Sequence, residues 1–215
     1  MKTKNNCIIV GAGTYGQVYA EYLKQEYSIE GFIDDDDGLR GAVVNGINVI
    51  GNTEDLFRRE EKDIAVFVPI GNNCVRVSLL DKLNAAGFQT PNYIHPSANI
   101  HSNVILGKAV YILQGVIIMP HTRLEDYVMI SAGSIISHHS TIEVGCFISF
   151  GVNVGASLTL KQKAYLGIGC TVMTGVKSVG GNSLIGAGAV IIRDVPDGAT
   201  VVGNPGKIIK IKDSL

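Results

Sequence analysis

The sequence predicts an α/β domain over residues 1–91 followed, over residues 92–215, by a solenoid of parallel strands wound into a triangular prism. Three observations predict it. From Ile94 to Val172 an aliphatic residue falls on every sixth position, fourteen times in succession. Four residues after each of these stands a small or compact side chain, from Ala98 to Val176. Residues 1 to about 90 lack this repeat and instead alternate short apolar runs with helical patterns. Strict self-similarity at a short period is the mark of a solenoid, and neither a helix (3.6) nor an ordinary alternating strand (2) demands a period of six.

In the first domain, Cys7-Ile-Ile-Val10 is an apolar strand that runs straight into Gly11-Ala-Gly13-Thr-Tyr-Gly16. A helical pattern follows, with Val18, Tyr22 and Leu23 on one face, and Gly31-Phe-Ile33 ends a second strand at the acidic run Asp34–Asp37. Thr53 to Arg59 reads as a short helix capped by Asn52 or Thr53. Ile64–Val68 is continuously apolar, as a buried parallel strand is. Pro69-Ile-Gly71-Asn72-Asn73 then turns into a helix over Val75–Ala86, which Gly87 ends. Alternation of this kind predicts a small open parallel sheet with crossover helices.

The glycine motif has the mechanics of an anion cradle: a strand ends, glycines let backbone approach a phosphate, and a helix offers its first amides. Asp34 lies 21 residues after Gly13, near where a dinucleotide fold places its ribose-binding acid. A dinucleotide, a mononucleotide-linked ligand and a tight turn without ligand all fit the motif, although the half-size domain lacks a second mononucleotide half. Gly71-Asn72-Asn73 is the second candidate loop, since ligands sit at the carboxyl ends of parallel strands.

Tyr93-Ile-His95-Pro96-Ser97 reads as a hinge into the prism. There, six residues make one side, the aliphatic residue fills the axis, and the compact residue lets the chain turn the corner. Three sides make an 18-residue coil, so residues 94 to about 195 give between five and six coils. After Val172 the register slips by one residue and resumes at Val179, Ile185 and Ile191. His138 and His139, directly after Ile136-Ser137, are the adjacent pair of titratable groups in the middle coils, and imidazole is the commonest general base. His95, His101 and His121 read as structural. Val201-Val-Gly203-Asn-Pro205-Gly-Lys207 leaves the prism, and Lys207, Lys210 and Lys212 supply positive charge for a solvated tail or a polyphosphate contact.

A formal net charge of −1 with 17% charged residues argues against a nucleic-acid surface or a polybasic membrane patch. No apolar stretch approaches the ~20 residues a membrane span needs, and the apolar run after Met1–Asn6 is too short for a signal-peptide core. Cys7, Cys74, Cys146 and Cys170 show no metal spacing and read as free thiols, which points to the cytoplasm.

Taken together, Gly11-Ala-Gly13-x-x-Gly16, Asp34-Asp35, Pro69-Ile-Gly71-Asn72-Asn73-x-x-Arg76, Ile118-Met-Pro120, Ser137-His138, Leu166-Gly-Ile168, Ile185-Gly-Ala-Gly188 and Val202-Gly-Asn-Pro205 carry a resemblance over nearly the whole chain. The sequence resembles the left-handed β-helix (hexapeptide-repeat) sugar O-/N-acyltransferases, in the branch of the bacillosamine-pathway UDP-4-amino-sugar and perosamine N-acetyltransferases and the sialic acid O-acetyltransferases. The resemblance implies a homotrimer of side-by-side prisms, acetyl-CoA in the groove between neighbours, and a nucleotide-linked amino sugar on the N-terminal domain. It places Asp34 and Asp35 at the base or ribose, and Gly11, Gly13, Thr14, Tyr15, Gly71, Asn72 and Asn73 around the diphosphate and sugar. By the same resemblance Ile168 and Ala187 would line the pantetheine channel, His138 would be the catalytic histidine, and no metal would be needed.

Two positions depart from the family pattern. Where its members carry an acid after the catalytic histidine this chain has His139, leaving Glu125 or Glu143 as possible substitutes. Where a second histidine often meets the thioester this chain has Phe147, which would contact acetyl-CoA. The expected reaction is acetylation of the 4-amino group of a nucleotide-linked 4-amino-4,6-dideoxy sugar, with a backbone N–H holding the oxyanion. Sialic-acid-type O-acetylation and a non-catalytic scaffold are the alternatives. Arg76 and Arg123 are the candidates for the cationic clamp that a free sugar acid would need.

Overall fold

The structure, a computed structural model, describes residues 4–212. Two compact units meet in the sequence between Pro91 and Asn92. The first contains β1 (Asn5–Val10), α1 (Thr14–Leu23), β2 (Tyr27–Ile33), a 3-10 turn (Asp37–Leu39), β3 (Val43–Val44), β4 (Ile47–Gly51), α2 (Thr53–Arg58), β5 (Ala65–Phe67) and α3 (Asn73–Ala85). The sheet order is β3-β4-β2-β1-β5. β1 lies parallel to β2 and β5, β2 parallel to β4, and β3 is antiparallel to β4.

The β3–β4 hairpin was not expected from the sequence. It turns at Asn45-Gly46, both with positive φ (48° and 78°), as a two-residue primed turn requires. Helix α1 also buries a different stripe from the one expected: Gly16, Tyr19, Ala20 and Leu23 face inward, while Val18 is exposed. Gly16 sets this rotation. A Cβ there would lie 1.8 Å from the Gly11 carbonyl oxygen, so the helix rests on the preceding turn at Gly16. The stripe then follows at the i+3, i+4 and i+7 places.

In the second unit each hexad forms a two-residue strand paired with the strand one coil away, as Ile117–Ile118 pairs with Asn99–Ile100 and with Ile135–Ile136. The strands stack into three parallel sheets, the faces of the prism. From Ile112 to Ile191 the aliphatic row is 0–2% exposed and fills the axis, whereas Ile94 at the open end is 37% exposed. The compact residues are buried beside this row and do not themselves make the corner. The turn is made one residue earlier, where Gly115, Gly133, Gly145 and Gly169, but also His121, His139, Lys163 and Asn182, take positive φ. Compactness is needed because the next side chain points inside a narrow prism. Buried hydroxyls there bond to carbonyls of the following coil, as Ser134 Oγ does to Ser149 (2.7 Å) and Ser140 Oγ to Gly155 (3.0 Å).

Tyr93–Ser97 is not a hinge. Tyr93–Ile94 pairs with Tyr111–Ile112, and the His95 N–H donates to the Ile112 carbonyl, so the first coil has begun. At the other end the Gly175 corner (φ 102°) absorbs the extra residue. Strand Ala199–Val202 closes one face, and after a cis Asn204–Pro205 bond strand Lys207–Ile211 folds back antiparallel to it. Among the described residues no helix is long and apolar enough to cross a membrane.

Candidate active site

In the first unit the glycine turn closes as its sequence requires. Gly11 has φ +99° and donates to the Ile33 carbonyl at 2.7 Å, tying the ends of β1 and β2. Gly13 is the N-cap of α1 without a side-chain cap, and the first turn holds no acid, so this helix start suits an anion. Asp34 accepts the Ala12 N–H (2.7 Å) and the Asp36 N–H (3.0 Å), so the acid braces the turn itself. Asp35 is exposed and accepts the backbone N–H and hydroxyl of Thr53 at the start of α2. Two residues outside the sequence expectation join this loop: Gln17 Nε2 donates to the Ala12 carbonyl, and Asn45 at the hairpin turn donates to Gln17. The Asn-Gly pair was the signal that could have placed them.

Gly71 approaches the Tyr15 ring, where an added Cβ would lie 3.8 Å away, so the two loops border one another. Asn72 and Asn73 both hold the loop by local bonds. The Asn72 carboxamide oxygen caps α3 by accepting from Cys74 and Val75, and Asn73 is buried with its Oδ1 on Arg76 Nη2 at 2.9 Å. Arg76 is itself fully buried and donates to the Ile70 carbonyl at 2.7 Å, so the guanidinium pins the loop from inside. It is not available as a clamp for a sugar acid. Arg123 faces Glu125 at 3.8 Å.

On the prism, His138 and His139 occupy the edge that follows the face built from Asn99–Ile100, Ile117–Ile118, Ile135–Ile136, Asn153–Val154, Thr171–Val172 and Val190–Ile191. Both rings are exposed, and His138 Nδ1 lies 3.0 Å from His139 Nδ1. Neither expected acid reaches them. Glu125 pairs with Arg123, and Glu143 accepts the Gln162 N–H at 2.9 Å, both on a different edge. The ring beside His139 is that of His121, one coil before it, with centroids 4.6 Å apart. The sequence reading set His121 aside as structural, yet its spacing of 18 residues from His139 is one coil and could have revealed it.

Ile168 and Ala187 are exposed on the edge at the other side of the same face, in one row with exposed Phe150. Phe147 is not with them. It lies on strand Phe147–Ile148 of another face, 1% exposed and stacked on Tyr165 at 5.0 Å, so its side chain is spent in packing. At the C-terminal end a cavity of about 370 Å³ is lined by Arg193, Asp194, Pro205 and Lys207, while Lys210 and Lys212 are exposed on the tail strand. Burial pushes the thiols of Cys7 and Cys170 up to about 12, Glu30 adding to the effect at Cys7, which leaves both inert. Among the described residues no group of three or more His, Cys, Asp and Glu side chains could hold a metal ion.

A strand-turn-helix cradle joined in one chain to a hexapeptide prism with an open imidazole edge defines the class of two-part hexapeptide-repeat acyltransferases. Residues 6–83 match the family model of the PglD N-terminal domain. Over 211 residues the chain is 26% identical to the GDP-perosamine N-acetyltransferase of Escherichia coli O157:H7, covering 94% of this chain and 95% of that protein. The acetyltransferase domain of PglB from Neisseria gonorrhoeae FA1090 superposes with a TM-score of 0.87 at 29% identity, over 96% of this chain and 100% of that one. PerB from Caulobacter crescentus, solved in complex with CoA and GDP-perosamine, superposes with a TM-score of 0.81 at 30% identity, over 96% and 98%. The chain belongs to the hexapeptide-repeat sugar N-acetyltransferases.

Proposed function

We propose that this protein transfers the acetyl group of acetyl-CoA to the 4-amino group of a nucleotide-linked 4-amino-4,6-dideoxyhexose, with His138 as general base. The observation that carries the reading is the open ring of His138, whose Nδ1 is engaged by His139 while Nε2 is left for a substrate. A neutral amine attacks the thioester carbonyl and the C–N bond forms. His138 takes the amine proton at Nε2, the tetrahedral oxyanion rests on a backbone N–H, and the C–S bond breaks. The proton then passes to the departing thiolate. No acyl-enzyme is needed when both substrates are held together. The amides of Gly13 to Tyr15 and the Gly71 turn suit a nucleoside diphosphate, with Asp34 and Asp35 beside its ribose or base. Ile168 and Ala187 suit a pantetheine arm.

The acceptor in this reading is an amine: of the two candidate clamps for a free sugar acid Arg76 is buried, and the exposed Arg123 would act alone beside Glu125. The proposed assembly is a homotrimer with the cofactor between prisms. Apolar side chains exposed on the two edges, Met119 and Met173 on one, Phe150 and Ile168 on the other, support it. The reaction belongs to cytoplasmic synthesis of surface polysaccharide or glycoprotein glycans.

Thiol release from acetyl-CoA, measured against UDP-, dTDP- and GDP-linked 4-amino sugars and N-acetylneuraminic acid, tests the assignment. Turnover is expected on a nucleotide amino sugar, and His138→Ala should lower kcat about a hundredfold or more. Turnover only on the sialic acid would overturn the acceptor; an unchanged rate in His138→Ala would overturn the base.

A further inference from the structure

Four of the five histidines, His101, His121, His138 and His139, stand on one edge of the prism, and a run of contacts joins them. Asn103 Oδ1 accepts the backbone N–H of His121 at 3.0 Å and lies 2.8 Å from His101 Nδ1. With the oxygen so placed, the carboxamide nitrogen lies over the His121 ring, 3.0 Å from Nδ1 and 3.4 Å from Nε2. The His121 ring then lies against that of His139, 4.6 Å between centroids and tilted by 35°. His139 in turn presents Nδ1 to His138 Nδ1 at 3.0 Å. Two ring nitrogens facing each other at that distance share one proton, one donating and the other accepting. For His138 to take a proton at Nε2, its own must sit on Nδ1, and His139 must be the acceptor.

His121 and His139 both lie in the left-handed region, with φ of 61° and 57°. Equivalent corners on the neighbouring edge carry Gly115, Gly133, Gly151 and Gly169, for which that backbone is free of strain. Other left-handed corners of the prism carry Ala109, Tyr127, Ser157, Lys163 and Asn182, so the fold admits an imidazole at this place without requiring it.

We propose that His121, anchored by Asn103, is a positioning residue: it fixes the ring of His139 and, through it, the Nδ1–H tautomer of His138. The inference rests on the reading of His138 as general base. A pair of stacked rings thereby takes over the orienting task that a carboxylate performs elsewhere, and the expected acids on the other edge are not required.

The test uses His121→Gly in the full-length chain, because glycine suits the left-handed corner and the thermal midpoint should not fall. Side-chain nitrogen NMR should find wild-type His138 protonated on Nδ1 and shifted toward Nε2–H in the variant. In acetyl-CoA turnover kcat should drop about threefold to tenfold, the worth of one exposed hydrogen bond, with KM for both substrates unchanged. His121→Phe, which restores a ring on His139, should recover much of the tautomer and the rate. A His138 tautomer identical in wild type and His121→Gly would overturn the proposal, as would a wild-type His138 protonated on Nε2. The base assignment fails separately: His138→Ala at full rate would sink it while the tautomer shift in His121→Gly persisted.

Discussion

Arg76 shows how a single residue can matter to a site it does not touch. Its guanidinium is fully buried, yet two of its bonds run to Ile70 and Asn73 on either side of Gly71, so the loop's shape is set from the protein interior. Residues of this kind are hard to read from sequence, because an arginine after Gly-Asn-Asn suggests a ligand contact as readily as an internal brace. The buried cysteines make a sharper case. Cys7 and Cys170 keep their protons up to about pH 12 in the native chain, against an ordinary value of 9.0. Between those values the unfolded chain releases protons that the native state retains. Their contribution is therefore fully present below pH 9.0 and falls as pH rises toward about 12. The urea midpoint should drop between about pH 9 and about pH 12, and replacing both residues by alanine should flatten that drop. Equal drops in the two proteins would show that other groups cause it.

At the scale of elements, the prism was legible because one physical rule repeats: every sixth side chain faces the axis. Corner chemistry was not, since the residue that takes the left-handed turn is glycine at one coil and His, Lys or Asn at another, and only the backbone unites them. The strand-Gly-helix turn was legible because nothing but glycine fits where a Gly16 Cβ would meet the Gly11 carbonyl. The face of α1 was not, because exposed Val18 is apolar and misleads the eye. At the site, His138 could be picked out from its neighbour in sequence, whereas His121 meets His139 only across coils. The axis also predicts a gradient. Ile142 lies in the middle, 0% exposed, and truncation to alanine should cost about 2–5 kcal/mol. Ile94 at the open end is already 37% exposed, so the same change there should cost less than about 1 kcal/mol. Denaturant melts of the two variants check this; similar losses would mean that coils do not depend on their neighbours as a solenoid should.

For the whole molecule, the decisive geometry is that His138 and the Ile168–Ala187 row occupy different edges of one prism, separated by a full face. A side of six residues at roughly 3.3 Å per residue spans on the order of 15 Å or more once the corner is allowed for. A general base must lie within about 3 Å, or one water, of the proton it removes. A cofactor held against Ile168 and Ala187 is therefore served better by the histidine edge of a second copy than by that of its own chain. The expected consequence is complementation. His138→Ala chains lack the base but keep the cofactor edge, and Ala187→Trp chains keep the base but block the channel, so each homogeneous preparation should be nearly inactive. Unfolded together and refolded, they should form mixed assemblies in which some grooves pair an intact histidine edge with an intact cofactor edge. Random mixing at equal input in a trimer leaves about one groove in four intact, hence about a quarter of wild-type kcat per groove. Recovery near that level, with light scattering reporting a trimer, would place the active site between copies. Mixtures as inactive as their parents would instead confine each site to one chain.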